Sequence, residues 1–107
     1  MTDPLVERLR AQLGGVRDGA LLRFSLGNAL LGDGAYADAA QAFRDAIDFD
    51  PHYSAAWKLL GKALLAIDDH EGAAAAWRSG IDTATSRGDI QAAKEMTVFL
   101  NRISRPR

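Results

Sequence analysis

Residues 26–31, LGNALL, return 34 positions further along the chain as residues 60–65, LGKALL. The segments that follow also match, since AAQAFRDAID at 39–48 returns as AAAAWRSGID at 73–82. A period of this length is too long for one ordinary helix and too short for a domain, so each unit is expected to be a pair of helices that stacks on the next pair. The repeat therefore predicts an all-α fold, and it identifies no ligand.

Composition excludes several classes of protein. The 107 residues include no cysteine, so the chain has neither a disulfide framework nor a thiolate metal site. A formal charge of −1 gives no overall field for nucleic acid or an anionic membrane surface. No apolar run approaches the ~20 residues of a membrane-spanning helix, and residues 1–4 lack the basic-then-apolar layout of a secretion signal. We therefore expect a cytoplasmic protein that binds neither nucleic acid nor membranes.

Local start and stop signals divide the chain into six helices. Asp3 before Pro4 predicts the start of a short first helix, because the Asp side chain can accept from the free amides of the first turn. Leu5, Leu9 and Leu13 recur every fourth residue and are expected to face inward. The later helices are predicted to begin at or near Asp18, Ala35, Ser54, Asp68–Asp69 and Asp89, with the Asp and Ser side chains as caps.

The last predicted helix has more apolar residues than one face can bury. Its inward stripe is expected to hold Ile90, Ala93, Met96, Leu100 and Ile103. Val98 points almost opposite Met96, and Phe99 lies toward one flank, so the sequence predicts weak homodimerisation through Val98 and Phe99. The alternative is that Phe99 folds over the fifth helix and that Val98 is an ordinary exposed apolar residue. The residues after this helix are expected to fray.

Both repeats carry the same set of large, small and aromatic residues. These are Leu26-Gly27, Leu30, Ala39, Phe43, Ala46 and Pro51 in the first repeat, and Trp57, Leu60-Gly61, Leu64, Ala73, Trp77 and Gly80 in the second. The pattern resembles the tetratricopeptide repeat. The small residues are expected where the two helices of a pair cross, and the aromatics between successive pairs. Arg23 replaces the first large residue of the pattern, and Thr85 replaces the second closing proline.

The resemblance implies a right-handed superhelix of helix pairs. Residues 1–17 would form an amino-terminal cap helix, 20–53 and 54–87 the two repeats, and 88–104 a capping helix or half of a degenerate third repeat. The first helix of each pair would line a concave groove that binds peptide segments of a protein partner. The groove residues carried over position by position are Leu21, Phe24, Asn28, Leu31, Ala55, Lys58, Lys62 and Leu65.

Two lysines give this groove its predicted chemistry. Lys58 and Lys62 are four residues apart and share a helix face, so an unpaired lysine pair beside Asn28 would suit a carboxylate or an acidic peptide. The alternative is two ordinary solvated lysines. The carboxylate clamp of chaperone-binding family members is not supported, because Phe24 and Leu59 stand where those proteins have a lysine and an asparagine.

Other candidate sites have simpler interpretations. Asp68, Asp69, His70 and Glu71 form a dense set of possible metal ligands, but a helix start accounts for them. Because the chain also has no recognisable nucleophile and base spacing, we predict no metal, no cofactor and no enzymatic activity. A structural or self-assembly subunit is the main rival function, and a metal-dependent enzyme is a remote one.

The remaining charged and aromatic residues are assigned to the scaffold. Arg44 with Asp48, and Arg78 with Asp82, are expected to form solvated pairs at i and i+4. The aromatics on packing positions are expected in the core, and the closing arginines offer too few charges to predict an RNA partner. The aromatics are Phe43, Trp57 and Trp77. The closing arginines are Arg102, Arg105 and Arg107.

Overall fold

The computed structural model describes residues 3–104 of the chain. The regular structure in this range is entirely helical, as the sequence predicts. Its elements are α1 (Pro4–Arg10), α2 (Ala20–Gly32), α3 (Tyr36–Phe49), α4 (Ser54–Ala66), α5 (His70–Arg87) and α6 (Ile90–Ser104). The predictions for the closing residues, including Arg105 and Arg107, lie outside the described residues, as do residues 1 and 2.

The helices pack as consecutive pairs. α2 packs on α3 and α4 on α5, while α3 packs on α4 and α5 on α6, so each pair is joined to the next. α1 lies on α2. α6 contacts both α5 and α4, in the same way that α4 contacts both α3 and α2. It therefore lies where the first helix of a third pair would lie.

Three of the predicted helix caps are present. The side chains of Asp3, Asp69 and Asp89 accept hydrogen bonds from the backbone amides of Leu5, Gly72 and Ala92, at 2.9, 2.9 and 3.2 Å. Gly88 ends α5 with a φ of 76°, the left-handed conformation that glycine adopts without strain. These signals act within a few residues of the helix end, and for that reason the sequence alone reveals them.

Two other predicted caps are wrong. The Asp18 side chain caps no amide of the α2 first turn, because it accepts instead from the Gly14 amide and from the Arg23 guanidinium. Ser54 lies inside α4 and is buried, and its hydroxyl has no hydrogen-bond partner among the described residues.

A large ring covers a glycine within each helix pair. A Cβ atom on Gly27 would lie 2.6 Å from the Phe43 ring, and one on Gly61 would overlap the Trp77 indole. Both rings are buried, and the Trp77 Nε1 donates to the Lys58 carbonyl oxygen at 3.0 Å. The sequence predicts these rings between successive pairs, and Trp77 does contact the Phe99 ring of α6. Each ring also packs within its own pair, because the absent side chain lets the helices approach closely.

The buried stripes of α1 and α6 differ from the predicted ones. Val6 is buried in α1, whereas Leu5 is exposed, because the stripe follows Val6 and the half-buried Leu9 rather than a strict four-residue step. In α6, Ile90 is 65% exposed. It lies about 120° around the helix from the fully buried Met96, which takes it off the packed face.

The predicted i and i+4 ion pairs do not form salt bridges among residues 3–104. Neither Arg44 with Asp48 nor Arg78 with Asp82 is within salt-bridge distance. Exposed pairs of this kind gain little energy for the side-chain freedom that they lose. The closest ion pair in the first repeat involves Arg23 instead.

Arg23 holds together the start of the first repeat. Its guanidinium contacts the Asp18 carboxylate at 2.8 Å and the Asp45 carboxylate at 3.0 Å. The Arg23 hydrogen bonds, together with the one from the Gly14 amide, hold the pKa of Asp18 well below its ordinary value. An arginine at a position that the second repeat fills with Trp57 thus links α2 to α3 through charge.

We predict that the ion pair between Arg23 and Asp18 makes the free energy of unfolding depend on pH in the acid range. A carboxyl whose pKa is lower in the folded state stabilises the fold above its ordinary pKa, and this stabilisation is lost as the pH falls through the folded value. Asp18→Asn should therefore lower the chemical-denaturation midpoint at pH 7, and its difference from the wild type should shrink steadily below about pH 4. Asp82→Asn is the control, because Asp82 is exposed and takes part in none of the salt bridges among residues 3–104. A difference that stays constant down to pH 2 would contradict the assignment.

A candidate peptide-binding face on α2 and α4

The eight predicted groove residues lie on the first helices of the two pairs, at equivalent positions. Those on α2 are Leu21, Phe24, Asn28 and Leu31, and their counterparts on α4 are Ala55, Lys58, Lys62 and Leu65. Leu21, Asn28 and Lys62 are exposed, and the other five are half-buried. We call these eight residues the groove set. Their role in binding stays a prediction.

Phe24 is largely committed to the scaffold. Its ring lies 5.7 Å from the Phe43 ring and stacks on the Tyr53 ring with centroids 4.8 Å apart. Such aromatic contacts stabilise the packing of the ring beyond its burial. Phe24 can therefore offer a ligand only the part of its ring that remains uncovered. The sequence did not indicate Tyr53 as a partner of Phe24. The pKa of Tyr53 is raised by its burial and by the nearby Asp50 carboxylate.

Lys58 is not an unpaired lysine. Its ammonium lies 3.3 Å from the Glu95 carboxylate of α6, and its side chain is 23% exposed. The expectation of two free lysines is therefore wrong for Lys58. The cause is the position of α6 beside α4, which places an acidic residue next to the groove set.

Lys62 has a different environment. Its ammonium lies 4.8 Å from the centroid of the Phe99 ring, a distance typical of cation–π contacts. Lys62 takes part in none of the salt bridges among residues 3–104. The Phe99 ring carries no negative charge that could neutralise the Lys62 ammonium. This ammonium therefore remains able to bind an anion.

The Lys58–Glu95 and Lys62–Phe99 contacts join α4 to α6 with the same spacing on both helices. Lys58 and Lys62 are four residues apart, and so are their partners Glu95 and Phe99. Residues at this spacing lie on one face of a helix. The sequence contains the matching spacing, but it does not show that α6 lies beside α4, so Glu95 could not be assigned.

Val98 and Phe99 do not form one exposed patch. The Phe99 ring is half-buried and lies 5.4 Å from the Trp77 ring of α5, whereas Val98 is 47% exposed. This arrangement corresponds to the alternative in which Phe99 folds over the fifth helix. Self-association through these two residues stays a prediction, although Phe99 has less free surface than expected.

The acidic turn before α5 has a structural role. Asp69 caps the helix, and the His70 imidazole lies 3.9 Å from the Asp68 carboxylate. Within residues 3–104 no three His, Asp or Glu side chains are grouped so that they could hold a metal ion. In the same part of the chain, no helix combines the length and the apolar character needed to cross a membrane.

Comparisons with known proteins agree on the repeat. Family models described as tetratricopeptide repeat match residues 30–96 and residues 5–54. A relative from Pseudomonas aeruginosa, TPR repeat-containing protein PA0015, is 48% identical over 103 residues, which cover 96% of this chain and 98% of the relative. The solution structure of protein BPP2914 from Bordetella parapertussis shares 46% identity, with a TM-score of 0.82, over 96% of this chain and 90% of that one.

Proposed function

Since the chain belongs to the tetratricopeptide repeat family, whose repeats generally mediate protein–protein interaction, we propose that it binds an acidic segment of a partner protein across the groove set. The observation that supports this most strongly is the environment of Lys62. Its ammonium is exposed and lies over the Phe99 ring without an anionic partner among the described residues. An incoming carboxylate would supply that partner.

The rest of the groove set supports the same ligand chemistry. Asn28 occupies the position on α2 that Lys62 occupies on α4, and its exposed amide can donate to and accept from a peptide backbone. Leu31 and Leu65 are half-buried, so each can receive an apolar side chain. The proposed segment therefore combines at least one carboxylate with at least one apolar residue.

Preorganisation is the proposed mechanism of binding. The helices that carry the groove set are packed on α3 and α5, and the Lys62 ammonium contacts the face of the Phe99 ring. A rigid receptor loses little conformational entropy when a ligand binds. The partner segment would bear most of the ordering cost.

Amide shifts in an NMR titration locate the ligand. The probe is a short peptide with alternating glutamate and leucine residues, and its control has glutamine in place of each glutamate. The glutamate peptide should shift the amides of Asn28, Lys62 and Leu65, and it should bind less tightly as salt is added, because exposed charges are screened over about 8–10 Å at moderate ionic strength. Equal binding of both peptides, or shifts confined to α3, would refute the proposal.

Glu95 is expected to compete with the ligand for Lys58. Its carboxylate already occupies the lysine ammonium at 3.3 Å, so an acidic peptide must displace it to use that charge. We predict that Glu95→Gln tightens binding of the glutamate peptide about two- to fivefold, since an ion pair at the protein surface contributes up to about 1 kcal/mol. Isothermal titration calorimetry measures the change. Glu71→Gln, at the start of α5, is the control and should leave the affinity unchanged, whereas weaker binding by Glu95→Gln would contradict the prediction.

A further inference from the structure

The flank of α6 that faces away from α4 borders an open groove. Glu95 and Phe99 face α4, whereas Thr97 lies about 200° around the helix from Glu95. A cavity of about 570 Å³ opens on that other flank, between α5 and α6. Its lining includes Ile81 of α5 with Ile90, Ala93, Thr97 and Val98 of α6. We call it the end groove.

The end groove is apolar although it is open. Ile90 and Val98 are 65% and 47% exposed. The Thr97 hydroxyl donates to the Ala93 carbonyl oxygen of its own helix at 2.8 Å, so its hydrogen is already used. The charged residue of the lining is Lys94, which stands four residues from both Ile90 and Val98.

The position of this groove matches an interface already present in the fold. α2 is covered by α3, and α4 is covered by α5. α6 lies where a first helix would lie, yet no second helix covers it within residues 3–104. We propose that the end groove binds an amphipathic helix of a partner protein, which would dock as the second helix of a third pair and present a carboxylate to Lys94.

The surface of α6 restricts the shape of this helix. On α4 a large ring fits because Gly61 has no Cβ atom to meet Trp77. α6 contains no glycine, and its open flank carries Ala93 and Thr97. The docking helix must therefore present alanine or leucine there rather than a tryptophan.

A second copy of this chain fits the groove poorly. The apolar faces of its α3 and α5 are already buried, so neither of these second helices can dock in the groove of another copy. Its own α6 can approach through the open flank that carries Ile90 and Val98. An antiparallel pair of α6 helices related by a two-fold axis would centre on Lys94, midway between Ile90 and Val98. The two lysines would then meet, and like charges brought together oppose association. A partner helix with a carboxylate has no such penalty.

The test uses two synthetic helices and one charge reversal. Both peptides carry a stripe of leucine and alanine, and one glutamate in this stripe of the first is lysine in the second. The glutamate peptide should shift the amides of Ile81, Ala93 and Thr97. Lys94→Glu should weaken it about fivefold and tighten the lysine peptide by a similar factor.

Two further variants separate the end groove from other surfaces. Val98→Asp should abolish binding of the leucine and alanine helix, and it should leave the fold intact because Val98 is 47% exposed. Lys62→Glu should leave that binding unchanged, which distinguishes this groove from the groove set. Four results would overturn the proposal. They are no amide shifts at millimolar peptide, amide shifts centred on Asn28, equal affinity of both peptides for the wild type and for Lys94→Glu, or a dimer in sedimentation that Val98→Asp dissociates.

Discussion

Trp77→Ala is expected to lower the free energy of unfolding by about 3–5 kcal/mol, the range for removing a fully buried large ring. The Trp77 side chain is 1% exposed, covers Gly61, contacts the Phe99 ring and donates a hydrogen bond to the Lys58 carbonyl. Its removal would leave a cavity shared by α4, α5 and α6. For a domain whose total stability is of the order of 5–15 kcal/mol, such a loss is large.

Chemical denaturation at neutral pH measures this effect. Trp57→Ala is a matched control, because Trp57 is only half-buried and its indole donates to the carbonyl of Pro51 in the preceding turn. We expect the control to lose clearly less stability than Trp77→Ala. Equal losses would show that Trp77 does not have the central position that its contacts indicate.

Gly61→Leu is expected to destabilise the protein by about 1–3 kcal/mol through overpacking. Any Cβ atom at this position would overlap the Trp77 indole, so either the ring or the two helices must move. Gly32→Leu is the control, because a Cβ atom on Gly32 would have no neighbour within 4 Å. The control should be neutral or slightly stabilising, since leucine favours a helix more than glycine does.

A double-mutant cycle links these two predictions. If the ring is the obstacle, Gly61→Leu should cost less in the Trp77→Ala background, because the truncated side chain leaves room for the leucine. Additive losses of unfolding free energy in thermal or chemical melts would mean that the two residues act separately. The contact with Trp77 would then not be the reason that a glycine is needed at position 61.

The sequence predicts the parts of this fold that repeat or act locally. The 34-residue period relates Gly27 to Gly61, and the expected close approach of the two helices is present at both, although the ring that meets each glycine within its pair was not predicted. Caps such as Asp69 depend on an amide three residues away, so they too can be predicted. The Asp18 cap failed because Arg23, with its charged hydrogen bonds, outcompetes a backbone amide for the carboxylate.

The candidate site was only partly predictable for a related reason. The period assigns Asn28 and Lys62 to equivalent positions, but the charge state of the face depends on contacts outside the repeat. Lys58 meets Glu95, which is 37 residues away on a helix with no clear counterpart in the period. Phe99 reaches Lys62 in the same way. Tertiary contacts of this kind follow from the stacking of α6 and have no signature in the local sequence.

Two charge reversals distinguish recognition by the groove set from recognition by the end groove. Lys62 belongs to the groove set and Lys94 to the end groove, and both are exposed lysines. Calorimetry with the alternating glutamate and leucine peptide should give a dissociation constant that rises about fivefold or more for Lys62→Glu, corresponding to about 1 kcal/mol. Lys94→Glu should leave it nearly unchanged. Equal losses for the two variants, or no loss for Lys62→Glu, would contradict recognition of an acidic segment by the groove set.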